Sequence, residues 1–114
     1  YLIEEAVAEF GLTAKVDPSP EQGLYDRSDN VNFARKGIPA PSFTLGFTAF
    51  DDKINQFYHK AADEVESFDL NYAQTYWKSY ILAAQKIANW SQKPVWKAGD
   101  KYEEVSKSLY GGQK

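Results

Sequence analysis

Residues 69–90 constrain the fold of this chain more than any other stretch. Asp69 offers a short side-chain oxygen of the kind that caps a helix. Ala73, Tyr76, Trp77, Tyr80, Ile81, Ala84, Ile87 and Ala88 follow it at helical spacing. That period predicts a helix over about 70–90 with one apolar stripe, ended by Ser91 to Lys93 and Pro94. It is the longest regular element the chain encodes.

The remaining elements are short and separated by turn residues. Leu2, Ile3, Ala6, Val7 and Phe10 share one helical face, and Gly11 is placed to close that helix. Thr13 to Val16 has the length of a short strand, stopped by Asp17-Pro18-Ser19-Pro20. After a loop over 21–27, Ser28 or Asp29 can cap a brief helix over Asn30 to Lys36, with Val31 and Ala34 inward, Phe33 packing nearby and Gly37 as its stop. Pro39 biases Ile38 toward extended backbone, and Ala40 to Gly46 reads as a buried strand carrying Phe43 and Leu45. Phe47 to Phe57 reads as a loop or turn with a solvated Asp51-Asp52 pair. A last helix is expected over Tyr102 to Tyr110, before a Gly111-Gly112 tail. Helices alternating with strands make this an α/β chain. Two strands do not form a stable sheet alone, so the sheet is expected to be incomplete here.

Composition excludes several classes of function. The 13 basic and 16 acidic residues are interspersed, which leaves no basic stripe for a nucleic acid. No apolar run approaches the roughly 18 residues of a membrane span, and no signal peptide is visible. The absence of cysteine removes disulfide and thiolate chemistry. Methionine is absent too, even at position 1, and an opening of Tyr1-Leu2-Ile3 reads as a segment of a longer protein.

Chemistry has few candidate carriers. His59 is the only histidine. Either it is structural or exposed, or its neutral imidazole ligates a metal. A catalytic zinc takes about three protein ligands, and the chain has no His-x-x-x-His pair, so a complete zinc site is not expected within it. Asp29 is either a helix cap or a group that orients a ligand. Tyr25 and Tyr58 are either half-buried aromatics or phenols able to donate to a developing oxyanion.

Two blocks point further. Arg27-Ser28-Asp29-Asn30-x-x-Phe33-Ala34-x-x-Gly37-Ile38-Pro39-Ala40 is followed by Tyr58-His59-x-x-x-Asp63. Together, in this order and separation, they resemble the carboxy-terminal part of the M28 family of zinc aminopeptidases. That family typically shows Arg-Ser-Asp-His-x-x-Phe, then Gly-Ile/Val-Pro, then Tyr-His-x-x-x-Asp. The tail with Trp96, Gly99-Asp100 and Leu109-Tyr110-Gly111 is similar to bacterial members.

The resemblance implies the C-terminal part of a mixed-sheet, three-layer zinc-exopeptidase fold. Residues 1–114 would be the last segment of a single peptidase domain. It implies that His59 is the last ligand of a two-zinc site, with Ser28, Asp29 and Asp63 in supporting positions. Tyr25 would be the tyrosine that hydrogen-bonds the tetrahedral intermediate. The implied reaction is hydrolysis of an N-terminal peptide bond by an enzyme exported from a bacterium. The remaining ligands and the general base would lie upstream, so the segment by itself is expected to be inactive. Asn30 stands where the family often has histidine, which leaves hydrogen bonding but no titration near neutrality. Two other readings remain: a non-catalytic homologue serving as an interaction domain, and an independent aromatic-rich binding module without metal.

Overall fold

The computed structural model describes residues 1–111, and Gly112 of the expected tail lies outside them. Five α-helices are described: α1 (Leu2–Ala8), α2 (Asn30–Ala34), α3 (Asp52–Asn55), α4 (Leu70–Ala88) and α5 (Glu103–Gly111). Three single 3-10 turns lie between them, at Pro20–Gln22, Tyr25–Arg27 and Val65–Ser67.

Local chemistry sets the helix ends. Asp69 accepts the backbone N–H groups of Asn71 and Tyr72, each at 3.0 Å, and so satisfies two free donors of the first turn of α4. At α1, the Gly11 N–H donates to the Ala8 carbonyl and the Leu12 N–H to the Val7 carbonyl, both at 3.0 Å. Gly37 repeats that closing motif after α2: its N–H donates to Ala34 at 2.8 Å, and the Ile38 N–H to Phe33 at 3.1 Å. Both glycines have the left-handed backbone that this motif requires. Asp51, expected in a solvated loop, instead caps α3 by accepting from Lys53 and Ile54.

The expected α/β architecture is not what forms. Among the described residues there is no strand, either at Thr13 to Val16 or at Ala40 to Gly46. Over 43–47 alternate residues are still half-buried, so the strand-like periodicity survives without a sheet. The reason lies in the hydrogen bonds. Pro39 and Pro41 have no N–H to give a ladder. The Ala40 carbonyl is taken by the Tyr25 hydroxyl at 2.8 Å, and the Leu45 carbonyl by the Tyr72 hydroxyl at 2.6 Å. Side chains thus fill places that a neighbouring strand would occupy.

The chain divides into two compact units. The first comprises Tyr1–Pro20 and Thr44–Trp90. In it α1 packs against α4, with Tyr1 edge-on to Trp90 and Glu9 paired to Lys86, so the two helices run antiparallel. Their buried residues are Ala6 and Val7 on α1 and Tyr76, Ser79 and Ala83 on α4, all small or medium-sized except Tyr76. The face of α1 read from the sequence is the one that packs. The face of α4 packs only in part: Tyr76 of the expected stripe is buried and Ala73 half-buried, but the rest of the stripe is exposed. Trp77 is 55% exposed and Ile81 57%, while Ser79 is fully buried.

The second unit comprises Glu21–Phe43 and the chain from Ser91 onward. Its core is Val31, Ala34 and Tyr102, with Tyr25 and Trp96 packed on it. Val31 and Ala34 are inward as their spacing predicts, whereas Phe33, expected to pack nearby, is mostly exposed. Gly37 fits tightly on α5: a Cβ there would lie 2.9 Å from the Ser106 Cα and from the Val105 carbonyl oxygen.

Candidate functional site

His59 follows α3 through a run of tight turns. The Tyr58 N–H donates to Ile54 at 2.9 Å, Lys60 to Phe57 at 2.9 Å and Asp63 to Lys60 at 3.0 Å. His59 itself is exposed and has φ of 57°, the one left-handed residue other than glycine among those described. Histidine tolerates this region better than a branched residue, yet such backbone is uncommon and is over-represented at functional positions. Its ring lies 4.1 Å from that of Tyr58. Asp63 is exposed and lines an open depression of about 280 Å³ with Leu45, Phe68, Asp69 and Tyr72. The Asp69 carboxylate there is already committed to capping α4.

Tyr25, Ser28 and Asp29 belong to the second unit. Asp29 occupies the position before α2, but its carboxylate accepts no bond from the helix N–H groups. The capping role weighed for it is not realised, and both Ser28 and Asp29 are exposed. Tyr25 packs against both the Trp96 and Tyr102 rings, at 6.3 and 6.0 Å, and those two rings are 5.4 Å apart. Burial, above all, pushes its phenol above the ordinary tyrosine value. Its hydroxyl donates to the Ala40 carbonyl, and Asn30 Nδ2 reaches the same oxygen at 3.4 Å. Asn30 thus does the hydrogen bonding left open to it, and the pair fastens the Gly37-Ile38-Pro39-Ala40 segment to the start of α2.

Sequence reasoning missed one cluster. Asp26 accepts from the Tyr102 hydroxyl at 2.7 Å and pairs with the Lys101 ammonium. Lys101, followed by Tyr102, holds the Asp26 carboxyl below the usual carboxylate range. No local pattern announces a partner 75 residues away.

The predicted site residues therefore fall in both units: His59 and Asp63 in the first, Tyr25, Ser28 and Asp29 in the second. Among the described residues no group of three or more His, Asp or Glu side chains is arranged to hold a metal ion. His59 can offer one nitrogen, but a catalytic zinc takes about three protein ligands, so these residues alone do not fit one. No described helix is long and apolar enough to cross a membrane.

The profile of peptidase family M28 matches residues 1–84. No curated protein and no solved structure matches the chain. The matched stretch holds both the Arg27 to Ala40 block and the Tyr58-His59 to Asp63 block, and the chain belongs to peptidase family M28, a generally zinc-dependent family of hydrolases that act on peptides.

Proposed function

We propose that this chain is the C-terminal segment of a single peptidase domain in a two-zinc aminopeptidase, and that His59 supplies one zinc ligand. The family match through the Tyr58-His59 block is the observation that carries this reading. The left-handed backbone of His59 supports it, because a strained residue at a motif position is where function is expected. The proposed substrate is a peptide with a free amino terminus. The other ligands and the general base come from sequence outside residues 1–114, and the segment alone is inactive. Within it, Asp63 steadies the turns after His59. Ser28 and Asp29 support the site with exposed polar groups. Tyr25 serves the intermediate as a hydrogen-bond donor once its hydroxyl leaves the Ala40 carbonyl. Location outside the bacterial cytoplasm rests on the resemblance to exported members.

The test is hydrolysis of aminoacyl arylamides by the full-length protein, with metal content measured in parallel. The expected result is zinc-dependent release of the arylamine, lost in His59→Ala together with part of the bound zinc. A zinc-loaded protein inactive on every aminoacyl substrate would sink the aminopeptidase reading. Asn30, in place of the family's frequent histidine, favours a second reading as a non-catalytic homologue. Upstream sequence lacking a histidine, a bridging aspartate and a Glu-Glu pair would decide for it.

A further inference from the structure

An exposed imidazole on a left-handed residue has little packing of its own to fix it. The contacts behind His59 supply what is missing, and they form a continuous series inside the first unit. The His59 ring sits against Tyr58, with centroids 4.1 Å apart. The Tyr58 ring meets Phe50 edge-on at 5.0 Å. Phe50 meets Phe47 edge-on at 6.4 Å. The two edge-to-face pairs are attractive and directional at these separations, so Phe47 and Phe50 restrict the tilt of Tyr58, against which the imidazole lies at an interplanar angle of 59°.

Phe50, within the series, is anchored through its backbone N–H. The Phe50 N–H donates to Ser19 Oγ at 3.1 Å, across 31 residues of sequence. Ser19 is only 4% exposed, and its own N–H donates to Asp17 Oδ1 at 2.8 Å. Pro18 and Pro20 flank it and stiffen that turn further.

From these contacts we infer that Ser19 and Phe50 are positioning residues for the His59 imidazole. Ser19 fixes the backbone of Phe50, the Phe50 ring fixes Tyr58, and Tyr58 selects the orientation of the imidazole. The inference deepens the reading of His59 as a functional group. It assigns that group's geometry to a serine 40 positions earlier in the chain. A ligand held in one orientation before it binds loses less freedom on binding, which is the value of such support.

His59 is the only histidine of residues 1–114, so this 114-residue chain gives one set of imidazole signals in a proton–carbon NMR spectrum. At fixed pH and without metal, the adjacent Tyr58 ring, 4.1 Å away, displaces those signals from the positions of a free imidazole. Phe50→Leu is expected to move them toward the free positions while the far-UV helix signal is kept. Ser19→Ala should move them the same way, and Ser19→Thr, which retains the hydroxyl, should restore them. Should Phe50→Leu lose the helix signal, the Ser19→Ala and Ser19→Thr pair decides alone. Unmoved imidazole signals in a folded Phe50→Leu or Ser19→Ala chain would overturn the inference. This readout needs neither zinc nor turnover. If His59→Ala leaves the full-length enzyme fully active, the ligand reading fails while the NMR result stands.

Discussion

The two units hold themselves together in different ways. The second is joined by contacts between residues far apart in sequence: Tyr102 and Lys101 on Asp26, Tyr25 on Ala40, and the Gly37 backbone against Ser106. The first relies on an antiparallel helix pair whose buried residues are Tyr76 and four smaller ones, with ion pairs from Lys86 to Glu5 and Glu9. There Trp77 and Ile81 of the apolar stripe of α4 face outward, and the buried residues of the helix are Tyr76, Ser79 and Ala83. Apolar spacing identifies the helix, but which of its residues are buried is set by tertiary packing, which takes in Ser79 and Ala83 and leaves Trp77 and Ile81 outside.

The sharpest challenge to that comparison is in the second unit. Gly37→Ala places a Cβ against α5 backbone that cannot step aside, on a residue with φ of 84°. Strain and overpacking together should lower the unfolding free energy by about 3 kcal/mol in urea titrations. In the first unit, Ala6→Leu should cost about 2 kcal/mol, because the fully buried methyl leaves no room in the seam. Tyr102→Phe, which removes the hydroxyl on Asp26, is worth about 1 kcal/mol.

Acid gives the same network a second test. The Asp26 carboxyl is depressed in the folded chain, so its contribution is present above the ordinary carboxylate value and fades as pH falls through the lower folded one. Asp26→Asn should therefore be less stable than wild type near neutrality, and the gap should narrow as the pH drops below about 4. A gap constant from pH 7 to pH 2 would refute the assignment. The smallest effect is expected on the outer face of α4, where Ile81→Gln should change stability by less than about 0.5 kcal/mol. A cost matching that of Ala6→Leu would mean that the stripe is covered in solution, and the contrast between the faces would be lost.

What the sequence made legible was local. Gly11, Gly37 and Asp69 act at the helix ends their chemistry specifies, because a cap needs only neighbours within a turn. The length of α4 and the inward face of α1 follow for the same reason. The strand expected at Ala40 to Gly46 failed because its carbonyls are claimed by Tyr25 and Tyr72, residues 15 and 27 positions away. The Asp26 pairing was hidden by a still longer separation. At the site, His59 stood out through its motif. Its left-handed backbone and the Ser19 anchor are tertiary facts that no spacing encodes.

The placement of the three tryptophans turns the molecule into its own optical instrument. Trp90 lies edge-on to Tyr1 across the α1–α4 seam, Trp96 is packed against the Tyr25 and Tyr102 rings of the second unit, and Trp77 is open to solvent. Replacing Trp77 with phenylalanine removes the solvent-facing emitter and leaves one fluorophore in each unit. A soluble quencher added during denaturation would then reach Trp90 when the helix pair opens and Trp96 when the aromatic core does. Two separate quenching transitions would show that the units melt independently, and a single one that they share one cooperative event.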